Sequence, residues 1–516
     1  MMLDRTRPGA VLAVMCLAVF TINVDTTIVN VTLPTLVAEL GATTRDLQWI
    51  VDSYLLVFAA LVLAGGSLSD RLGRRAVLLV GLAVFGLGNA LAAFADTPGQ
   101  LVAARAFTGI GAAAVFPTTL SILTQVFRER AARAKAIGLW GASTGLAVAF
   151  GPITGGALLE QFWWGSTFLV KLPIALVAMG LVLLLVPETR DPQAPGIDVP
   201  GLLLSALGLG VLVFTIIEAP GHGWTAASTL LGFSAAAVLF AAFVRHERRT
   251  AQPMLDLGLF ADRRFTAAAL AITVAFFALF GFIFLITQYF QFLRGYSPLE
   301  TGVRILPVAL CVAAGSIAGT LLVVRLGNKL VVTTGLLSLS AAYAWVSTAS
   351  SATGYREIAG QMVLLGLGMG LTSAPATESI MGAVQSDKAG IGSAVNDATR
   401  EVGGTLGVAV IGSVFAWLYA TQVEALRDTV PVAAAEAAGQ SVGAAFTVAA
   451  QLPDGPAQLL RAAAQQGFFD GLAAGCLVAS GAARRRRSRA GRRPSVSAAP
   501  GRPAAVPAPG RAVACR

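Results

Sequence analysis

The sequence predicts an all-α membrane protein: two pseudo-symmetric six-helix bundles with two additional central helices, fourteen crossings in total, the last of them short. Three observations predict this. Hydrophobic residues make up 56% of the 516 and charged residues only 12%, too little polar surface to cover a soluble globule of that size. Apolar runs recur at roughly the 20 residues needed to cross a hydrocarbon core. A hairpin junction between such runs also occurs twice. Gly66-Ser67-Leu68-Ser69-Asp70-Arg71-Leu72-Gly73-Arg74-Arg75 is one copy and Arg325-Leu326-Gly327-Asn328-Lys329 the other, each followed by a Val/Leu/Thr-rich stretch reaching Gly81 or Gly335.

The runs begin near Ala10, Gln48, Ala76, Gln100, Ile137, Thr167, Pro200, Ser228, Thr266, Val303, Leu330, Glu357 and Val402, with a weaker fourteenth near Phe468. The first, residues 10–33, is too long for a signal-peptide core and lacks a small-residue cleavage site, so it reads as a retained helix. An even number of crossings puts both termini on one side. The loops of that side hold Arg5, Arg7, Arg71, Arg74, Arg75, Arg128, Arg130, Arg133, Lys135, Arg190, Arg245, Arg248, Arg249, Arg263, Arg264, Arg325, Lys329, Lys388 and Arg400. The other side holds only Arg45, Arg294, Arg304, Arg356, Arg427 and Arg461. By the positive-inside rule the N-terminus is cytoplasmic, and the expected location is the cell membrane, multi-pass.

The net charge of +10 does not indicate a nucleic-acid partner, because the ten arginines of residues 484–516 account for all of it. That tail reads as a disordered basic segment able to touch anionic membrane lipid. The apolar run before it, residues 468–483, is interrupted by Asp470 and stops short of a full crossing. Two accounts are open: arginine stems reaching the interface complete the helix, or out-of-frame sequence replaces the natural end. Cys16, Cys311, Cys476 and Cys515 show no pairing or metal spacing, and His222 and His246 fall in loops on opposite sides. Nothing suggests an enzyme, a metal or a cofactor, and a monomer is expected.

The duplication extends beyond the hairpin. Gly109-Ile110-Gly111 corresponds to Gly366-Leu367-Gly368 at nearly the spacing that relates Arg71 to Arg325, and each opens a small-residue stretch ending at Pro117 or Pro375. Residues 1–190 then form one bundle, 191–262 two inserted helices and a linker, and 263–483 the second bundle. Residues 421–466, rich in Ala and Gln and punctuated by Pro431, Pro453 and Pro456, read as an outer loop with one or two short amphipathic helices.

Four motifs occur in order: Asp25-Thr26-Thr27-Ile28-Val29-Asn30-Val31-Thr32-Leu33-Pro34, the Gly66 to Arg75 hairpin, Arg105 with Gly109 and Gly111, and Gly151-Pro152-Ile153-Thr154-Gly155-Gly156. With them the chain resembles a fourteen-helix member of the major facilitator superfamily, in its drug:proton antiporter branch. The resemblance implies that the hairpin, with Asp70 foremost, gates conformational exchange, and that Asp25 and Arg105 handle protons. It also implies that Gly141, Gly145, Gly151, Pro152, Gly155 and Gly156 of the fifth helix mark an exporter. The chain departs from the family in the sixth helix, where Trp164-Gly165-Ser166 and Lys171 stand in place of Trp-Arg-Trp and Asn.

The residues also have readings of their own. Gly66 and Gly73 permit close helix approach and a tight turn, while Asp70, Arg71, Arg74 and Arg75 can form an ionic latch or serve only as a positive-inside anchor. Val324 replaces the acid in the second copy. Arg105, several residues inside a crossing, needs a partner or water, unless it reaches back to the outer end near Asp96 and Gln100. Low dielectric disfavours the charged form of Asp25, as a proton carrier requires, but a neutral Asp25 bonded to Thr21 or Asn30 is the structural alternative. Glu378 is either a second intramembrane carboxylate or a cytoplasmic-end residue beside Asp387 and Lys388. Asp52 and Asp470 read as hydrated helix-end residues, and Lys171 as an outer-end cation able to pair with Glu160. The expected function is proton-coupled export of a small hydrophobic substrate, a drug or antibiotic. The alternatives are transport of another solute, such as an amino acid or siderophore, and a non-transporting membrane scaffold.

Overall fold

In the computed structural model the described residues are 8–190, 196, 198–250, 253, 255–383, 389–426 and 429–490. Arg5, Arg7, Asp387, Lys388, Arg427, Cys515 and the tail beyond residue 490 lie outside them.

Helix α1 spans Pro8–Leu40, α2 Thr44–Leu72, α3 Arg74–Ala93, α4 Pro98–Val126 and α5 Arg130–Gln161. The sixth crossing is split into α6 (Ser166–Leu169) and α7 (Lys171–Leu185). Pro173 has no N–H to give the Leu169 carbonyl, and the chain breaks at Val170. Two further helices follow, α8 (Val199–His222) and α9 (Ala227–Glu247). The second half comprises α10 (Arg263–Gln288), extended by a π-helical turn Tyr289–Leu293, then α11 (Pro298–Leu326), α12 (Asn328–Val346), α13 (Tyr355–Ala383) and α14 (Ala389–Glu424). The short helices α15 (Val432–Gln440) and α16 (Val442–Ala449) precede α17 (Asp454–Ala490).

Thirteen helical segments among the described residues are long and apolar enough to cross a membrane. The last helix is not short: α17 runs 37 residues and buries Phe468, Leu472, Cys476 and Ala479. Its first third lies in the stretch expected to be loop, and α17 is not among the thirteen apolar segments. Its packing against α14 and α12, with a 2.9 Å contact between the hydroxyls of Ser340 and Ser480, supplies what its own composition lacks.

The two halves repeat one packing scheme. In the first, α4 packs on α2 and α3 while α1 packs on α5; in the second, α13 packs on α11 and α12 while α10 packs on α14. Small residues make this possible. A Cβ on Gly111 would meet the Gly81 carbonyl at 2.7 Å, and one on Gly368 the Gly335 carbonyl at 2.8 Å, so backbones touch at equivalent places. Helix starts repeat too: Thr43 with Asp46 and Ser297 with Glu300 form reciprocal capping boxes on α2 and α11.

The halves join crosswise, α2 against α14 and α5 against α11, and α8 bridges the seam by packing on both α2 and α14. Hydrogen bonds tie the seam at the end opposite the hairpins. Gln48 donates to the Ala409 carbonyl (3.1 Å) and Ser413 Oγ (3.2 Å), Gln291 to the Val31 carbonyl (2.9 Å), and the Ser297 hydroxyl to Glu160.

Candidate functional site

The centre of the first half is an ion triad. Arg105 Nη1 donates to Asp25 Oδ2 at 2.6 Å and its Nε to the Ile50 carbonyl at 3.2 Å, while the guanidinium lies 4.2 Å from the Tyr54 ring centroid. Lys171 Nζ donates to the other oxygen, Oδ1, and sits 4.6 Å from the Phe168 ring centroid. None of the three side chains is more than 1% exposed. Charges this far from water persist only when paired and hydrogen-bonded, and each oxygen of Asp25 has its own cation.

Arg105 thus meets a buried partner and does not reach back toward Asp96 and Gln100. Asp25 turns to the two cations and not to Thr21 or Asn30. Lys171, expected at an outer end beside Glu160, is instead buried in the bundle; Glu160 accepts the Ser297 hydroxyl. Asp52 also departs from expectation: it is fully buried, and neither carboxylate oxygen has a hydrogen-bond partner. Asp470, by contrast, accepts from Gln422 (3.3 Å) and Gln466 (3.0 Å).

The second half carries acids that the sequence reading missed. Asp397 is buried on α14 and accepts from Asn396 Nδ2 at 3.2 Å, with Arg400 Nη1 at 4.0 Å. One turn on, Glu401 has its Oε2 sealed from solvent without a partner, as does Asp397 Oδ2. The acids were missed because the apolar run begins at Val402, whereas the helix and its membrane-length span begin earlier and carry both acids inside. Their i, i+4 spacing beside Asn396 and Arg400 was the available signal. Glu378 stands beside Thr377, which donates to Asn396 Oδ1 at 2.9 Å next to Asp397. It is exposed near the end of α13, and the spacing that aligns Gly109 with Gly366 sets it opposite Ser121, beside a hairpin.

At the first hairpin, Arg74 Nη2 lies 2.8 Å from Asp70 Oδ1, and Ser121 Oγ of α4 donates to that same oxygen at 3.0 Å. Arg74 N–H donates to the Thr189 carbonyl at 2.9 Å, and Glu188 accepts the Arg75 and Ala76 amides at 3.2 Å, capping α3. Arg75 Nη2 donates to the Leu183 carbonyl at 2.6 Å, and Arg71 is exposed. The bonds described for this latch stay within the first half. Gly73 has φ +113°, which favours glycine. The close approach to α4 falls at Gly65, whose Cβ would meet the Ala113 carbonyl at 2.2 Å, and not at Gly66, which has ordinary contact with Pro117. In the second copy Val324 is 86% exposed, and Asn328 instead ties its hairpin to Ser379 and the Pro375 carbonyl of α13.

The fifth-helix glycines divide by face. Gly151 and Gly155 lie against Thr27 and Ile28 of α1, whereas Pro152 and Gly156 meet Gly302 and Leu299 of α11 across the seam. Gly141 has open space around it. Gly145 lies on α5.

Two like bundles meeting at a seam, with ion pairs at membrane depth, define a polytopic carrier of the alternating-access kind. Residues 15–408 match the signature of the Major Facilitator Superfamily, and the chain belongs to that family. It is 37% identical over 475 residues to the multidrug efflux pump LfrA of Mycolicibacterium smegmatis, covering 92% of this chain and 94% of that protein. It is 34% identical to the methyl viologen resistance protein SmvA of Salmonella typhimurium, covering 90% and 93%. Among solved structures, a bacterial homologue of the human lysosomal transporter Spinster, inward-facing and occupied, superposes with a TM-score of 0.64 at 18% identity, covering 93% of this chain and 97% of that one.

Proposed function

We propose that this chain exports hydrophobic small molecules, drugs or antibiotics, across the cytoplasmic membrane in exchange for protons, as a monomer with its N-terminus and both hairpins on the cytoplasmic side. The observation that carries the reading is a set of buried carboxylates on both sides of one seam: Asp25 in its cation pair, and Asp397 and Glu401 on α14, the latter two each with an unpartnered oxygen. A dry carboxylate without a partner is stable as the acid and becomes ionised only when water or a cation reaches it, so proton loss and substrate entry compete for one site. The efflux and resistance roles named for the relatives support the cargo class and the direction.

On this reading residues 1–190 and 263–483 are the two moving bundles, 191–262 the insert and 484–516 a lipid-facing basic tail. The contact of Pro152 and Gly156 with α11 closes the outer end while substrate loads from the hairpin end. Everted membrane vesicles energised to an acid interior test it. Adding a transported drug should dissipate the pH gradient, in proportion to drug uptake. Drug uptake that proceeds without any proton flux would refute the exchange, and no uptake of any hydrophobic compound would refute transport.

A further inference from the structure

We infer that Lys171, not Asp25, is the side chain of the first bundle that gains and loses a proton during the transport cycle. This rests on the proton-exchange reading above and names its group. The argument is a charge count. Asp25 has two oxygens, Arg105 takes one and Lys171 the other, and all three side chains are sealed from water. With every group ionised the triad carries one surplus positive charge in a dry core, a condition that structures relieve by neutralisation or a further partner. Asp25, gripped by two cations, is the worst placed to accept a proton. Arg105 cannot release one, since a guanidinium stays protonated in proteins. Lys171 can, and its loss of a proton leaves a neutral triad in which the amine still donates to Asp25 Oδ1.

On the helices packed against α7 no other group competes for the role. Lys171 begins α7, which packs on α1, α3 and α6. From α1 the facing acid is Asp25, and across it Arg105 of α4; α3 carries ionisable side chains only at Arg74 and Arg75, at its hairpin end, and α6 carries none. In the step itself one Nζ–H bond breaks, the nitrogen keeps the electron pair, and the proton passes to water admitted when the bundles part. Rebinding from water on the other side restores the ammonium.

Purified full-length protein in liposomes, with a pH-sensitive dye inside and a transported drug added, provides the test. Lys171→Arg keeps the charge but cannot cycle it, and Lys171→Met keeps the neutral state. Both should lose drug-driven proton movement at least tenfold relative to wild type, with protein folding checked by monodispersity and thermal unfolding. A structural role for the ion pair predicts the opposite for the arginine variant, whose proton-to-drug ratio would match wild type; that result overturns the inference. Should the larger arginine not fit, Lys171→Gln repeats the neutral test, and coupling retained in it is equally fatal. Wild-type liposomes that move drug with no proton flux refute the exchange reading itself, and the inference with it.

Discussion

Lys171 on α7 and Asp25 on α1, 146 residues apart in sequence, form a salt bridge in which neither side chain is exposed. This contact changes what a substitution at Asp25 should do. Asp25→Asn does not simply remove a titrating group; it leaves Arg105 and Lys171 buried without a counter-charge, which costs about 3–5 kcal/mol. The single variant should therefore show a sharply lowered unfolding temperature in detergent. Asp25→Asn combined with Arg105→Met and Lys171→Met, which leaves no buried charge, should recover much of that loss, and no recovery would show that the three do not act as a unit.

In the second bundle, Asp397→Asn and Glu401→Gln should each reduce drug-driven proton flux at least tenfold. Glu378→Gln, at an exposed side chain with no described ion pair, should leave it within twofold. The measurement is dye-reported pH change in proteoliposomes, and equal effects at Glu378 and Glu401 would contradict the assignment.

The hairpin latch has a kinetic signature. Asp70 is more than a third exposed, so Asp70→Asn should shift stability by less than about 1 kcal/mol. Its transport rate should nonetheless fall several-fold, with drug affinity by equilibrium binding unchanged, because Asp70 ties α2, Arg74 and Ser121 together and touches no cargo.

The glycines separate into those that matter and those that do not. Gly111→Ala drives a methyl into Phe85 N and the Gly81 carbonyl, backbone atoms that cannot rotate away, and should cost at least about 3 kcal/mol, the upper range of overpacking. Gly368→Ala, its counterpart, should behave alike. Gly141→Ala, with nothing within 4 Å, should stay within about 0.5 kcal/mol of wild type. Thermal unfolding of the three side by side decides the matter.

At the end opposite the hairpins, Gln48 reaches Ser413 across the seam. Cysteines placed at both positions, with Cys16, Cys311, Cys476 and Cys515 replaced, should cross-link under oxidation and arrest transport, and reductant should restore it. Unimpeded transport by the cross-linked form would mean that this end does not open during the cycle.

What the sequence alone determined follows from local rules. Hydropathy over 20 residues places helices, because a crossing helix satisfies its own backbone and needs only apolar side chains. The doubled hairpin and the Gly109 and Gly366 sets reveal two halves, because close helix packing requires small residues at fixed places. That Arg105 needs a partner or water was legible from the cost of a charge at that depth, but its pairing with Asp25 was not. Tertiary packing decided the rest. Lys171 looked like an outer-end cation until the break at Val170 set it beside Asp25. Asp397 and Glu401 lay outside the apolar run, but α14 carries them into the core. The last helix, too polar by composition to stand alone, is completed by α12 and α14. In each case the deciding free energy comes from neighbours distant in the chain: the partner that pays for a buried charge, or the surface that covers a weakly apolar helix, appears only once the bundles are assembled.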